Sequence, residues 1–257
     1  MAFDPGAFQS TSGFGTEWLS MLVYGPAGSG KTSLAKTTSA LDKTLILAAE
    51  PGLLPLRGVA VKWTEIKSRD DLFGAIDWLE RAGKAGKLAG RWIILDSVSE
   101  IAERLLVEFK RRPKIDPRQA YGMVQDDMID AMKRCRDLPC NTVFVAKQER
   151  YEDAEQRIVY GPSLPGKKLA GASVYEFDLV LAMRVERGPS GVRRWLQTEA
   201  DGRFEAKDRS GSLAPQEEPD LGAIAAKIRG SMRAPKPAES DTSEPQPEAK
   251  TDAEIGA

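Results

Sequence analysis

The sequence predicts an α/β fold in which a central, mostly parallel sheet is flanked by helices and carries an antiparallel strand pair at its C-terminal end. Three observations support this. Short apolar runs alternate with amphipathic segments as far as residue 146. A glycine-rich loop at residues 25–32 joins the first apolar run to the segment after it. Two alternating runs, residues 177–185 and 192–198, then flank a turn-forming Gly-Pro-Ser-Gly stretch.

The glycine-rich loop reads Gly-Pro-Ala-Gly-Ser-Gly-Lys-Thr and matches the phosphate-binding pattern G-x-x-x-x-G-K-[ST]. Residues 18–24 predict a strand before it, and residues 33–41 predict a helix after it. Glycines let backbone N–H groups converge on an anion, Lys31 adds positive charge, and Thr32 offers a hydroxyl to Mg²⁺. The sequence therefore predicts a site for ATP and Mg²⁺, with nucleotide contacts from Gly25, Pro26, Ala27, Gly28, Ser29, Gly30, Lys31, Thr32 and Ser33.

Polar side chains end three later strands. Residues 43–49 predict a strand followed by Glu50, and residues 91–97 predict one that contains Asp96. Ligands bind at the carboxyl ends of strands in open α/β sheets, so Asp96 is predicted to hold Mg²⁺ together with Thr32. Gln148 follows the strand at residues 141–146 and is a candidate sensor of the terminal phosphate. Lys147 is equally well placed, and an exposed polar role remains open for Gln148.

The remaining elements follow from periodicity and caps. Residues 59–66 predict a strand, and Ser68 with Asp71 predicts a capping-box-like helix start. A loop is expected at residues 83–90. Helices are predicted over residues 98–110 and 121–136, where apolar side chains recur at helical spacing. Residues 161–171 are glycine-rich and predict a mobile binding loop.

Two segments concentrate positive charge. Residues 110–118 include five lysine or arginine residues and two prolines, and the predicted mobile loop includes two adjacent lysines. Lysine and arginine in such loops favour contacts with the phosphates of DNA, although a solvated loop is the alternative. The candidate DNA-binding residues are Lys110, Arg111, Arg112, Lys114, Arg118, Lys167 and Lys168.

Composition excludes several classes of protein. The chain has 257 residues, two cysteines and no histidine, which argues against a zinc site, a disulfide and a histidine-based triad. It lacks an 18-residue apolar run, so no membrane partner and a cytoplasmic location are expected. The predicted organisation is an N-terminal arm at 1–16, a core at 17–212, a linker at 213–233 in which a short helix is possible, and a disordered acidic tail at 234–257.

The order of these motifs resembles the RecA-like ATPases, and more narrowly the phage-encoded RecA-like ATPases of the Sak type, which are treated as single-strand annealing or recombination proteins. Glu50 matches the glutamate that activates the attacking water, and Lys207-x-Arg209-x-Gly211 matches basic residues that reach a neighbour's ATP site. The resemblance implies catalytic roles for Glu50, Lys31, Gln148, Lys207 and Arg209. It also implies DNA-stimulated ATP hydrolysis, single-stranded DNA as a partner and a homo-oligomer, either a ring or a short filament.

Two other functions remain open. The protein could be a helicase loader or partner-remodelling ATPase whose acidic tail docks another protein. A small-molecule kinase is less favoured, because the sequence shows no arginine-rich lid and the kinase role leaves Lys207 and Arg209 unexplained.

Overall fold

The computed structural model describes residues 17–233 except 51, 154 and 190, so the predicted arm at 1–16 and tail at 234–257 lie outside the described residues. The strands in the described part are β1 (Ser20–Gly25), β2 (Thr44–Ala48), β3 (Lys62–Glu65), β4 (Trp92–Asp96), β5 (Asn141–Glu152), β6 (Ile158–Pro162), β7 (Leu179–Gly188), β8 (Gly191–Gln197), β9 (Lys207–Asp208) and β10 (Gln216–Glu217). The α-helices there are α1 (Arg69–Lys84), α2 (Val98–Lys110), α3 (Pro117–Arg136), α4 (Lys167–Glu176) and α5 (Leu221–Arg233).

The strands form one sheet in the order β10-β8-β7-β1-β5-β4-β2-β3, with β6 added to β5 and β9 added to β7. All neighbours from β7 to β3 along this path are parallel. The β7–β8 and β8–β10 pairs are antiparallel. The predicted fold class is therefore confirmed, including the antiparallel strands near the C-terminal end.

Apolar side chains pack on both faces of this sheet. On one face α1, α2 and α3 contribute buried residues such as Leu72, Phe109 and Val124. On the other face, the segment after the glycine loop and α5 contribute Leu34 and Ile228. Because the central strands are parallel, their carboxyl ends lie on the same side of the sheet. In sheets with helices on both faces, ligands bind at these carboxyl ends.

The structure places α1 and α2 where the sequence predicted helices, but α3 begins earlier than expected. Ser68 and Asp71 form a reciprocal capping box at the start of α1. The predicted start of α3 at residue 121 is wrong, because Pro117 occupies the first turn and Asp116 caps it. Proline is well suited to this position, since its missing N–H would have no helical partner. Arg118 therefore lies in a helix instead of in a loop.

The helix predicted over residues 33–41 is wrong in kind and length. A 3₁₀ helix covers Thr32–Thr37, and Thr38 is extended. The hydroxyls of Thr37 and Thr38 donate to the carbonyl oxygens of Leu34 and Ala35, at 2.8 and 3.2 Å. Such side-chain bonds to the preceding turn compete with the α-helical pattern, and β-branched residues further weaken it.

Two predictions around residues 146–171 are also wrong. The strand predicted to end at residue 146 continues to Glu152, so Gln148 lies inside β5 and pairs with Pro162 of β6. The segment 161–171, predicted as one mobile loop, holds the end of β6, a short connection at residues 163–166 and the start of α4, whose first residues are Lys167 and Lys168. The pairing of β6 with β5 satisfies the backbone at residues 158–162, which composition alone could not show.

The predicted linker at 213–233 is part of the packed structure. β10 pairs with β8, and α5 buries Leu221, Ile224, Ala225 and Ile228 in the second apolar layer. These four positions recur at helical spacing, so a continuous apolar stripe faces the sheet. No helix in residues 17–233, leaving aside the three that are not described, is long and apolar enough to cross a bilayer.

Candidate nucleotide-binding site

The glycine loop leaves the carboxyl end of β1, between β5 and β7. Gly28 and Gly30 have φ values of 70° and 105°, which side chains rarely adopt. At Gly25, an added Cβ would lie 2.8 Å from both the Cβ and the carbonyl oxygen of Met183. Glycine is thus needed at Gly25 for close packing on β7, and at Gly28 and Gly30 for the curvature of the loop.

Two polar side chains of this loop, those of Ser29 and Lys31, are placed where they can bind an anion. The Ser29 hydroxyl is buried and has no hydrogen-bond partner within the described residues. The Lys31 ammonium donates to the carbonyl oxygens of Gly25 and Pro26, at 2.8 and 2.9 Å. Burial lowers the pKa of Lys31, and the nearby Asp96 carboxylate opposes that shift. An unpaired hydroxyl and an ammonium group at a glycine cradle fit the oxygens of a phosphate chain.

Asp96 ends β4 and lies in register with Ala48 of β2 and Val145 of β5. Burial raises the pKa of Asp96, while the neighbouring Thr32 hydroxyl and the charge of Lys31 oppose the rise. Carboxylate and hydroxyl oxygens are ligands that Mg²⁺ prefers, so Thr32 and Asp96 together fit this ion.

Glu50 lies at the same edge, two residues beyond the end of β2. The Ala49 N–H donates to the Asp96 carbonyl oxygen at 2.9 Å and ties the two strand ends together. Burial raises the pKa of Glu50, the carboxylate of Glu100 raises it further, and the ammonium of Lys147 opposes both effects. The structure therefore brings Glu50 to the edge that carries Lys31, Thr32 and Asp96.

Lys147, rather than Gln148, contacts the acidic residues beside Glu50. Its ammonium donates to Glu100 at 2.7 Å and to Glu103 at 3.2 Å. In the sheet, Lys147 lies in register with Gly25. Gln148 is half-buried in the adjoining pair of β5 and β6.

A cavity of about 500 Å³ opens beside the glycine loop, lined in part by Lys31, Thr32, Pro55, Met183 and Arg194. The Arg194 guanidinium donates to the Ser29 carbonyl oxygen at 3.1 Å. Sequence reasoning missed Arg194, because only the pairing of β8 with β7 shows which of the arginines at residues 193 and 194 lies over the loop.

Lys207 and Arg209 lie near the amino-terminal ends of the parallel strands, whereas the glycine loop lies at their carboxyl ends. β9 pairs with the start of β7, where Leu179 is in register with both Asp208 and Met21. Lys207 donates to the carbonyl oxygen of Val174 at 2.6 Å, and Arg209 donates to that of Tyr175 at 2.8 Å. Both side chains thus hold carbonyl groups at the end of α4, a common role for basic residues there, and do not reach their own chain's glycine loop.

The basic residues of the segment 110–118 are all exposed. Arg112 pairs with Glu108 at 2.7 Å, and Lys110 lies 4.8 Å from the centre of the Tyr121 ring. Arg111 lines an open cavity of about 470 Å³ that Glu100 also lines. The other predicted contacts, Lys167 and Lys168, begin α4.

A phosphate cradle at the end of the first strand, with Thr32 and Asp96 beside it as side chains that suit Mg²⁺, defines a P-loop NTPase. The profile of a family described as the AAA domain matches residues 17–210, and the chain belongs to this family. No curated protein matches the chain. Among solved structures, it is similar to the KaiC-like protein PH0186 from the hyperthermophilic archaeon Pyrococcus horikoshii OT3. The two are 13% identical with a TM-score of 0.40, over 69% of this chain and 76% of that chain.

Proposed function

We propose that the protein is an ATPase that binds single-stranded DNA and acts in recombination or strand annealing in a bacterial cytoplasm, like the Sak-type ATPases that its motifs resemble. The position of Arg111 is the observation that supports this most strongly. Arg111 belongs to the basic segment, yet it lines the same cavity as Glu100. Glu100 accepts a hydrogen bond from Lys147, which lies in register with Gly25 of the glycine loop, and its charge helps to raise the pKa of Glu50. DNA on the basic segment would therefore lie next to residues of the ATP site.

The charges of the basic segment are suited to phosphate contacts. Within the described residues, the side chains of Arg111, Lys114 and Arg118 have no hydrogen-bond or ion-pair partner. Exposed lysine and arginine side chains without an ion-pair partner bind DNA phosphates whatever the base sequence, and this binding releases counterions from the DNA. We propose that these residues, with Lys110, Arg112, Lys167 and Lys168, form the DNA contact.

The residues of the nucleotide edge take distinct roles in hydrolysis. Lys31 and the loop N–H groups hold the phosphates, while Thr32 and Asp96 hold Mg²⁺, which neutralises phosphate charge when bound. Glu50 orients a water molecule and accepts its proton. Its raised pKa brings this carboxylate closer to the range in which a general base works best.

Lys207 and Arg209 contribute to hydrolysis only if another copy of the chain supplies them, because they lie at the far edge of their own sheet. We therefore propose a homo-oligomer, a ring or short filament, in which these residues face a neighbour's nucleotide. Basic residues supplied in trans accelerate phosphoryl transfer by about 10³–10⁵ in other systems.

The test is ATP hydrolysis without DNA, with single-stranded DNA and with duplex DNA, at two protein concentrations. We expect stimulation by single strands and a rate per protomer that rises with concentration. Lys31→Ala and Arg209→Ala should each abolish the activity. Lys36→Ala, an exposed change on the 3₁₀ helix that follows Lys31, should not.

Mixing the two inactive variants separates a trans role of Arg209 from a structural one. An oligomer that contains both variants has sites with an intact Lys31 and a neighbour's intact Arg209, so part of the activity should return. If DNA does not change the rate of hydrolysis and mixing the variants restores no activity, the proposed recombination function is wrong. The partner-remodelling alternative would then be tested by removing residues 234–257 and measuring loss of partner capture.

A further inference from the structure

Arg194 reaches the glycine loop from a strand of the same sheet. It lies in β8, in register with Val185 of β7, and its guanidinium donates to the Ser29 carbonyl oxygen at 3.1 Å. Its side chain also lies against Gly30, where an added Cβ would be 3.7 Å from the Cδ of Arg194 and 3.8 Å from its Nε. Arg194 therefore contacts one particular peptide unit of the loop, the one that joins Ser29 to Gly30.

This peptide unit can adopt two orientations unless a contact selects one of them. Gly30 has a φ of 105°, and glycine adopts positive and negative φ values with similar ease. The peptide is trans, so its carbonyl group and its N–H point in opposite directions. A donor that holds the Ser29 carbonyl oxygen therefore also fixes the direction of the Gly30 N–H.

The strand that carries Arg194 is held firmly in the sheet. β8 pairs with β7 along its whole length, and its last two residues also pair with β10. Within β8, the Trp195 ring centre lies 5.7 Å from the guanidinium of Arg184 on β7. A side chain on a paired strand is placed more precisely than one on a loop, so the guanidinium of Arg194 is restricted to a small region over the glycine loop.

The charge of Arg194 is not neutralised by an acidic residue. Its side chain is exposed, and no carboxylate of residues 17–233, leaving aside the three that are not described, forms an ion pair with it. The adjacent Arg193 points to the other face of the strand, donates to the Gln216 side chain at 2.9 Å and lies 5.0 Å from the centre of the Trp195 ring. Hydrogen bonds from a charged donor are stronger than those between neutral groups, so Arg194 is suited to hold the peptide.

We propose that Arg194 is a positioning residue for the phosphate cradle: it holds the Ser29–Gly30 peptide so that the Gly30 N–H is available to a nucleotide phosphate. The inference rests on nucleotide binding by the glycine loop, which the proposed function also requires, but it needs neither DNA nor hydrolysis. It makes the β7–β8 strand pair part of the nucleotide site, although the glycine-loop motif contains no residue of that pair.

Nucleotide affinity separates this role from a contribution to stability. Arg194→Ala should leave the thermal unfolding midpoint of the nucleotide-free chain nearly unchanged, because the side chain is exposed. Its affinity for ADP and Mg²⁺ should fall by about tenfold or more, since a hydrogen bond from a charged donor is lost. Arg194→Lys keeps a charged donor and should recover part of the affinity. Arg193→Ala is the matched control, because it removes the same charge from the adjacent position, and its affinity should be nearly that of the wild type.

The first measurement follows the peptide itself by NMR, in the full chain labelled with ¹³C at serine carbonyls and ¹⁵N at glycine. Ser29→Ala identifies the signal, since the sequence has four Ser-Gly pairs, at residues 12–13, 29–30, 190–191 and 210–211. The Ser29–Gly30 signal should shift in Arg194→Ala and stay in place in Arg193→Ala, because it depends on the hydrogen bond at the Ser29 carbonyl oxygen. The shift in Arg194→Ala should be present both without nucleotide and with ADP and Mg²⁺.

The second measurement is the Kd of ADP and Mg²⁺ for the wild type and the three arginine variants, by isothermal titration calorimetry. A shifted signal together with a loss of affinity confined to the Arg194 position would support the proposal. An unchanged signal in nucleotide-free Arg194→Ala, or an equal loss of affinity in Arg193→Ala, would overturn it.

The spectra with ADP exclude one more explanation, in which Arg194 leaves the loop and binds the nucleotide directly. In that case the Ser29–Gly30 signals of the wild type and Arg194→Ala would coincide once ADP is bound, and the positioning role would be refuted. Hydrolysis that single-stranded DNA fails to stimulate would refute the proposed function alone, because neither measurement uses DNA or hydrolysis.

Discussion

The Lys31 ammonium contacts two carbonyl oxygens of its own loop, and the neighbouring Ser29 hydroxyl is buried without a partner. An unsatisfied buried hydroxyl costs about 1–3 kcal/mol, so the loop carries a local cost that a bound anion would remove. Arg194 adds a third polar group, through its bond to the Ser29 carbonyl oxygen. At the residue scale, the site is thus organised for a ligand at some expense of stability.

Tyr24, the residue before the glycine loop, joins β1 to two segments that are distant in the sequence. It is fully buried on β1, and its hydroxyl lies 2.6 Å from the Glu205 carbonyl oxygen and 3.0 Å from that of Tyr160. Tyr24→Phe should lower the free energy of unfolding by about 1 kcal/mol, because the partly buried Glu205 carbonyl oxygen loses this donor. Urea unfolding measures this, and Tyr175→Phe, at a side chain that is 75% exposed, is the control. Equal stability of the two variants would contradict the prediction.

At the scale of elements, the helices α1, α2 and α3 each begin at a side-chain cap. In α1 the Ser68 hydroxyl accepts from the Asp71 N–H at 3.2 Å, and the Asp71 carboxylate accepts from the Ser68 N–H at 3.1 Å. Hydrogen bonds of this kind replace helical partners that the first turn lacks. The same logic explains the early start of α3 at Pro117.

Ser68→Ala should destabilise the protein by about 1 kcal/mol, since it removes the acceptor at the start of α1. Ser68→Asp keeps an acceptor there and should leave stability nearly unchanged. Both values come from urea unfolding followed by circular dichroism. A loss in the aspartate variant as large as in the alanine variant would show that the cap is not the cause.

At the scale of the whole molecule, the sheet is completed by the segment that composition marked as a linker. β10 forms the edge next to β8, and α5 covers the face that also supports the glycine loop. The Leu221 N–H donates to the Thr37 hydroxyl at 2.9 Å, and an added Cβ at Gly222 would lie 2.7 Å from the Thr37 carbonyl oxygen. α5 therefore rests directly on the segment that follows the loop.

A chain shortened to residues 1–233 should keep its stability and nucleotide binding, whereas a chain shortened to 1–212 should lose both. The shorter chain leaves the partners of Leu221, Ile224 and Ile228 exposed, and each such side chain contributes about 1.5–3 kcal/mol when buried. Thermal unfolding with and without ATP and Mg²⁺ measures the difference. Normal stability of the 1–212 chain would restore the boundary predicted from sequence.

Local patterns carried most of the information about the nucleotide edge. The loop at residues 25–32, Asp96 and Glu50 were predicted because strand ends and glycine turns are short-range features, and parallel strands place their ends together. Helix α1 was likewise predicted from its cap and apolar spacing, and α2 from its apolar spacing.

Periodicity and turn chemistry act between near neighbours, so they were enough to predict the fold class and the phosphate cradle. Long-range contacts were needed to show that Arg194 lies over the loop, that Lys147 pairs with Glu100, and that α4 and α5 are packed helices. Those arrangements depend on strand register and on contacts between residues far apart in the chain. The physical reason is that burial and pairing across such distances leave no periodic signal in a single sequence.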